Sequence, residues 1–409
     1  MALEQLWIIA YRDLLRNRRR SIFTLLAVAL GLALLILLNS LVAGVFNDAL
    51  QNSIRLRTGH LQIRAESYQE ETLSLQWQDL LDNPTGLAAR VSRLSQVQAA
   101  APVLWAGAVL NTPEESAGLQ IFGIETTSPL YVPIQQALIA GEFLSAEDRN
   151  GILMGQRLAA SLGLGVGHKM NLAIVNADGK PDEGTFTIRG LFTTGILSYD
   201  ESAVFMPLSR AQAFAGVNGR ASAIIIMLHH QADADSVAAA LQEPGLKILT
   251  WRDLNSLLLQ TVETGMSFYV LLDGIVMLIV AVIIANTLLM AVFERIREMG
   301  ILAALGMKGR QILLMFLLEA ATLGLAGIVI GIVLGLAGVV YLATVGIYIG
   351  EMAASTGNNM ALGTTMYARF VPGTTASLSI WTLVIILLAS LYPGWFAARL
   401  EPVEALRVL

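Results

Sequence analysis

The stretch Arg16-Asn-Arg18-Arg19-Arg20-Ser-Ile22-Phe-Thr-Leu-Leu-Ala-Val-Ala-Leu-Gly-Leu-Ala-Leu-Leu-Ile-Leu-Leu-Asn-Ser-Leu-Val-Ala-Gly-Val45 sets a basic leader directly before an unbroken apolar run. Crossing the hydrocarbon core of a bilayer takes about 20 apolar residues in a helix, and Ile22 to Val45 meets that length. A secretory signal peptide has the same charge order, but its apolar region is only about 7–15 residues and ends in a small-residue cleavage pattern. This run is too long and closes on no such pattern, so it reads as a first membrane helix. Three further apolar blocks follow at about Met266–Phe293, Ile312–Ile349 and Leu378–Leu391. The third is longer than one span requires and is expected to tilt, break or project beyond the bilayer. The composition agrees: 55% hydrophobic, 14% charged and a mean hydropathy of +0.63, where soluble domains carry about a quarter charged residues. The chain of 409 residues therefore reads as an α-helical membrane protein with four transmembrane helices and one large α/β domain outside the cytoplasm.

Orientation follows from Lys and Arg, which stay on the cytoplasmic side. The segments before the first block, between the second and third, and after the fourth hold Arg12, Arg16, Arg18, Arg19, Arg20, Arg295, Arg297, Lys308, Arg310, Arg399 and Arg407. Against them stand Glu4, Asp13, Glu294, Glu298, Glu401 and Glu404. The loop between the third and fourth blocks has only Arg369. Both termini are expected in the cytoplasm and the segment between the first two helices outside it. That segment, Phe46 to Met266, carries 14 Lys/Arg against 22 Asp/Glu, a net charge of −8. No basic stripe is present, which argues against nucleic acid as a partner. The chain has no cysteine, so there is no disulfide framework, thiolate zinc site or acylation box.

Within the outer segment, strand patterns occur at His60–Arg64, Leu119–Ile124, Lys169–Val175, Thr185–Leu191, Ala203–Met206, Ala223–Leu228 and Lys247–Thr250. Helical periodicity occurs at Gly86–Leu94, Gln156–Leu162, Ser209–Phe214 and Asp233–Leu241. Three divisions are expected. Residues 1–45 form the cytoplasmic N-terminus and first helix. Residues 46–265 form the outer domain, an α/β lobe (about 46–125 and 220–265) with a β-rich lobe (about 126–219) inserted into it. Residues 266–409 hold the other three membrane helices. Trp251 to Met266 reads as a helical stalk leading into the second of the four.

No enzyme emerges from the residues. His60, His168, His229 and His230 lack Asp or Glu partners at zinc-ligand spacing on one helix. Gly163-Leu-Gly165-Val-Gly167-His168-Lys169 lacks the Gly-Lys-Ser/Thr ending that would hold phosphate and magnesium; it is expected to end a helix and turn into a strand. The chain is expected not to hydrolyse ATP by itself. Inside the spans, Asp273 and Glu319 are costly acids, the first near the outer end of its helix, the second expected to make a helix-packing hydrogen bond. Gly327, Gly331 and Gly335 form a small-residue stripe that would let another helix approach closely.

The cytoplasmic segment Glu294-Arg-Ile-Arg-Glu-Met-Gly-Ile-Leu-Ala-Ala-Leu-Gly-Met-Lys-Gly-Arg310 places Met299, Ile301, Leu302 and Leu305 at helical spacing, with Gly306 suited to end the helix. By periodicity it either rests on the bilayer surface or docks in a groove of a cytoplasmic partner. The segment resembles the coupling helix of FtsX-like ABC transporter permeases, the MacB/LolC/LolE type, through Glu294, Arg295, Glu298, Met299, Gly300, Ile301, Leu302, Ala304, Leu305 and Gly306, with Met299 where the family has Ile. The opening Arg12-Asp-Leu-Leu-Arg16-Asn-Arg18 and the closing Tyr392-Pro393-Gly-Trp-Phe-Ala397-Ala398-Arg399-Leu-Glu-Pro402-Val403-Glu404-Ala405-Leu406-Arg407 are similar to the same family's ends. Phe46-Asn-Asp-Ala-Leu50-Gln51-Asn52 and Ile152-Leu-Met-Gly155-Gln-Arg-Leu158-Ala-Ala-Ser-Leu162-Gly163 resemble the lipoprotein-releasing permeases (LolC and LolE) in particular.

The resemblance implies a permease subunit that transmits force across the bilayer to extract lipoproteins or another lipid-anchored or amphiphilic cargo from the outer leaflet of the inner membrane. It implies a multi-pass inner-membrane location with the large domain periplasmic. It implies a second permease subunit and separate cytoplasmic ABC ATPase subunits, which would bind ATP and magnesium, with no cofactor in this chain. ATPase coupling would fall on a helix over 294–308, through Glu294, Arg295, Arg297, Glu298, Met299, Gly300, Leu302, Leu305 and Gly306. Cargo would reach the complex beside Leu38, Leu41, Val42, Val45 and Phe46 of the first helix and Met266, Tyr269, Val270 and Asp273 of the second. A periplasmic carrier or adaptor is a further partner for some members. Here the turn Asn176-Ala-Asp-Gly-Lys-Pro181-Asp-Glu-Gly184, where the LolC-like member has a long docking hairpin, is short. A MacB-like exporter and an FtsX-like regulator of an extracytoplasmic enzyme remain as alternative readings.

Overall fold

The computed structural model describes residue 16 and residues 18–69, 72–111, 116–350 and 361–399. Arg12 of the opening motif and Glu401 to Arg407 of the closing one lie outside them. The helices in chain order are α1 (Arg18–Ser53), α2 (Pro84–Val91), α3 (Gln156–Ser161), α4 (Leu208–Ala215), α5 (Ala234–Ala240), α6 (Ser256–Glu294), α7 (Ile296–Ala304), α8 (Gly309–Thr344) and α9 (Pro372–Ala398), with shorter turns between them. Among the described residues four helices, α1, α6, α8 and α9, are long and apolar enough to cross a membrane. The chain divides into two units, one of Met1–Phe46, Val262–Ile347 and Met366–Leu409, the other of Asn47–Thr261 and Tyr348–Thr365.

In the helical unit the packing is set by glycines. A Cβ on Gly327 would lie 2.7 Å from Val28 Cγ1, one on Gly331 would lie 2.9 Å from the Ala29 carbonyl oxygen, and one on Gly335 would lie 3.0 Å from Ile36 Cβ. The stripe of α8 therefore receives α1 along three turns, the close helix approach that small residues permit. Gly31 of α1 meets Val280 of α6 in the same way, and Gly394 of α9 meets Leu313 of α8. Val28, Leu32, Leu35, Ile36, Met277, Ile284 and Ile328 fill the space between.

The second unit is built on one ten-stranded sheet of β1 (Leu61–Ala65), β2 (Val97–Asn111), β3 (Ser116–Ile124), β4 (Leu138–Gly141), β5 (Gly151–Gly155), β6 (Lys169–Val175), β7 (Pro181–Phe192), β8 (Ala203–Pro207), β9 (Ala223–Leu228) and β10 (Leu246–Thr250). Its order is β10-β1-β9-β2-β3-β8-β5-β7-β4, with β6 pairing both β2 and β7. The pairs β3/β8 and β5/β7 are parallel and the others antiparallel. The strands between 126 and 219 do not form a sheet of their own: β8 joins β3, and Ala108 to Leu110 of β2 join β6. β2 is the longest strand and loses alternation in its middle, because Ala101, Val103, Leu104, Trp105 and Ala106 are all buried in succession. A strand covered on both faces reads as a continuous apolar run. Pro102 is tolerated within it where pairing to β3 has not yet begun, since that ladder starts at Val103.

The stalk is helical with one break. Thr250 and Asp253 form a capping box over Trp251–Leu254, and α6 starts after Asn255. Residues 163–169 turn from α3 into β6, with Gly163 and Gly167 at φ +63° and +87°. Near β8, Asp200 is buried and accepts from Thr193 Oγ1 (2.9 Å), Thr194 N (2.9 Å), Thr194 Oγ1 (2.7 Å) and Gly195 N (3.2 Å). The turn so held receives Leu56 at the end of α1, whose carbonyl accepts from Tyr199 OH at 3.0 Å, and its Gly195 carbonyl accepts from Thr364 N at 3.1 Å. Asp200→Ala removes the buried acceptor of these four hydrogen bonds, at about 1–3 kcal/mol. The expected result is a lower thermal midpoint for the full chain, read by tryptophan fluorescence.

Candidate functional site

Two places in the helical unit hold the residues that the sequence singles out. The first is α7. Its chain leaves α6 at Arg295, which has φ −120° and ψ 18° and so interrupts the helix. It closes at Gly306, φ +92°, in a left-handed turn where Met307 N donates to Leu302 O and Gly306 N to Ala303 O, each at 3.0 Å. This is the paired-bond ending that glycine permits. The helix is shorter than the expected 294–308 span, because Arg295 breaks it on one side and Gly306 on the other.

The faces of α7 are distinct. Met299 is buried with Val292, Ile312, Met315, Phe316 and Ala397, and Leu302, Ala303 and Met307 pack against that cluster. Gly300 is buried as well. Arg297, Ile301, Ala304, Leu305 and Gly306 face outward, Leu305 being 80% exposed and Ile301 46%. Glu294 is exposed too. Arg295 and Glu298 turn inward to ion pairs. Arg295 Nε donates to Glu298 Oε2 at 3.0 Å, Arg16 Nη2 to Glu298 Oε1 at 2.7 Å, and Arg295 Nη1 lies 3.9 Å from Glu319 Oε2. Burial alone would raise the Glu298 carboxyl, but the hydrogen bonds from Arg295 and Arg16 outweigh it and hold it below the ordinary carboxylate range. The nine residues named for coupling therefore separate into an exposed set and a set that anchors the helix. Ile301 and Ala304 match the motif but are absent from the nine, and they belong to the exposed face; their spacing from Arg297 and Leu305 carries the signal.

The second place is where the C-terminal half of α1 and the N-terminal half of α6 adjoin. Asn39 Nδ2 donates to both carboxylate oxygens of Asp273, at 3.0 and 3.2 Å, and to Leu35 O at 3.0 Å. A Cβ on Gly265 would lie 3.7 Å from the Phe46 ring. Leu38, Met266 and Val270 are exposed, while Leu41, Val42, Val45, Phe46, Tyr269 and Asp273 are half-buried. Asn39, which an apolar-pattern search passes over, is the residue that joins the two helices here. One side of α1 is already covered: Arg369 N donates to Ser40 O at 2.8 Å, and Gly44 abuts the Tyr367 carbonyl.

Residues 21–243 match the family model of the MacB-like periplasmic core domain, and residues 271–402 match that of the FtsX-like permease C-terminal region. The chain is 25% identical over 422 residues to the lipoprotein-releasing system transmembrane protein LolC of Neisseria meningitidis serogroup B, covering 96% of this chain and 95% of that one. It is 24% identical over 403 residues to the corresponding LolE of Haemophilus influenzae, covering 94% and 93%. The macrolide export ATP-binding/permease protein MacB of Marinobacter nauticus is 25% identical over 345 residues, which is 80% of this chain and 52% of that one. Four apolar helices joined to a domain of the periplasmic type make this a membrane protein, and the chain belongs to the family of ABC transporter permeases that combine a MacB-like periplasmic core domain with an FtsX-like C-terminal region.

Proposed function

We propose that the chain is the permease subunit of an ATP-driven complex that extracts lipoproteins, or another lipid-anchored or amphiphilic cargo, from the outer leaflet of the inner membrane. The observation that carries this reading is the likeness to LolC and LolE along nearly the whole chain, both membrane helices and outer domain. Both termini and α7 lie in the cytoplasm on this reading, as the distribution of Lys and Arg favours, and the second unit lies in the periplasm. A second permease subunit and two separate ATPase subunits complete the complex. The ATPases supply ATP and magnesium binding. Their closure presses on the exposed face of α7, and the movement passes to the periplasmic domain. Cargo enters sideways from the bilayer beside α1 and α6. A second reading, an exporter subunit, is favoured by the likeness to MacB over 80% of the chain.

The test is photo-crosslinking from positions Val42, Val45 and Tyr269 in native membranes. Acyl chains bind through buried apolar area, at about 0.8 kcal/mol per methylene, so these positions are expected to trap acylated protein. Crosslinks to neighbouring helices alone, with no acylated species at any position, overturn lipid-cargo extraction and favour a regulatory role.

A further inference from the structure

We infer that Arg16, Glu298, Arg295 and Glu319 are positioning residues that carry movement of α7 into α1 and α8, and are not contacts to an ATPase. This rests on the reading of the chain as an ATPase-driven permease. The four charges come from four places: the chain just before α1, the first turn of α7, the break between α6 and α7, and the third turn of α8. Both oxygens of Glu298 are engaged within the chain, one by Arg16 at 2.7 Å and the other by Arg295 at 3.0 Å. Arg295 and Glu319 are 4% and 1% exposed, so no partner protein reaches them. The face left for a partner is Arg297, Ile301, Ala304 and Leu305; Glu298 lies at its edge with both oxygens already engaged within the chain.

The geometry also gives the movement a direction. At Arg295 the backbone leaves helical geometry, so α7 and α6 are joined by a hinge and do not form one rod. Toward α8 and the start of α1, α7 is held by the ion pairs and by Met299 packed on Ile312, Met315 and Phe316, with Val292 at the end of α6 in the same cluster. A buried ion pair is stiff in its direction, because separating it exposes uncompensated charge in a low-dielectric surrounding. α8 and α1 are in turn interlocked at Gly327, Gly331 and Gly335, and interlocked backbones move together. α1 then runs without interruption from Arg18 to Ser53. A push on α7 therefore displaces α1 and α8 together, with α6 following through its contacts to α1 at Gly31–Val280 and Asn39–Asp273, and α1 is the helix that carries the stroke outward.

The pairs Arg16–Glu298 and Arg295–Glu319 differ in how they can be tested. Arg16 and Glu298 are half-exposed, so Arg16→Glu is compatible with folding, whereas Glu319→Gln alters a buried site. The tagged full chain is purified from its host membranes in nanodiscs, and three quantities are measured: ATP hydrolysis that co-purifies, acylated protein released per ATP hydrolysed, and deuterium uptake along the chain. For Arg16→Glu, hydrolysis is expected within about twofold of the unaltered chain, with release per ATP reduced at least tenfold. Uptake is expected to rise in α7 and at residues 45–53 of α1. Arg16→Lys keeps a positive charge beside Glu298 and is expected to retain at least half of the release and the original uptake. Glu319→Gln is expected to lower release in the same manner in whatever fraction folds.

Loss of co-purifying hydrolysis on Arg16→Glu in a chain that keeps its thermal midpoint makes these charges a docking contact and overturns the inference. Unchanged release and uptake in both Arg16→Glu and Glu319→Gln overturn it as well. Should the unaltered chain bring no ATP hydrolysis with it, the proposed function fails, while the uptake pattern still decides whether α1 follows α7.

Discussion

Gly44→Ala is expected to leave almost no folded chain in the membrane, although it adds a single methyl group. The new Cβ would sit 1.8 Å from the carbonyl oxygen of Tyr367, 2.9 Å from its carbon and 3.0 Å from Arg369 N. All three are backbone atoms, so no rotamer change relieves the overlap. Carbon contacts are comfortable at about 3.5–4.0 Å, which means α1 and the segment leading into α9 must separate by more than an ångström. Separation breaks the bond from Arg369 N to Ser40 O, 2.8 Å long, and loosens the cluster that includes Ala368 and Leu35. Overpacking a core by a methylene costs about 1–3 kcal/mol when side chains can adjust, and here they cannot. Against a typical total stability of about 5–15 kcal/mol, the expected readout is at least a tenfold loss of monodisperse protein on size exclusion after mild detergent extraction. Gly118→Ala is the control: nothing lies within 4 Å of its Cβ on β3, and its yield is expected to match the unaltered chain. Equal yields for the two variants would show that 367–369 does not pack on α1.

Gly44 also marks where reading the sequence stops. The spacing of Gly327, Gly331 and Gly335 announces a helix contact from composition alone, and α1 fills it. Gly44 stands alone in an apolar run, and only the return of residues 367–369 gives it a role. The same division holds across the molecule. Four membrane helices were legible because about 20 apolar residues have few other uses in a chain, and β6 and β9 because their alternation or β-rich composition stands out locally. β2 was not legible, since its alanine-rich run lies between neighbours on both faces and has no periodicity to report burial. α7 shows the limit at the site itself. Helical spacing groups Arg297, Ile301, Ala304 and Leu305 on one side, with Glu298 at its edge, and Arg295 and Met299 elsewhere. Which side turns inward depends on Arg16, Ile312, Phe316 and Glu319, from distant parts of the chain. Resemblance to a coupling motif therefore selects a helix and mixes its anchoring residues with its exposed ones.

The exposed side of α7 carries the other large expected effect. Replacing Ile301 and Leu305 together by Asp is expected to abolish co-purifying ATP hydrolysis while the chain keeps its fold. Neither side chain belongs to the cluster around Met299 and Phe316, and the glycine ending at Gly306 is untouched, so the thermal midpoint should stay where it is. Burying an apolar side chain of this size in a partner's groove is worth about 1.5–3 kcal/mol, and the two together about 3–6 kcal/mol on that basis. Since each 1.4 kcal/mol is about a factor of ten in affinity, the complex should weaken by roughly a hundredfold to ten-thousandfold, before counting the cost of placing two carboxylates against an apolar groove. Met299→Asp is expected to behave differently: it buries a charge beside Phe316, so the fold and the hydrolysis are lost together. The alternative for this helix is that Ile301 and Leu305 lie in the bilayer interface and anchor it there. In that case the double variant releases α7 from lipid, seen as greater deuterium uptake over residues 296–305, yet retains the co-purified hydrolysis in full. Retained hydrolysis with increased uptake would remove α7 from the ATPase interface.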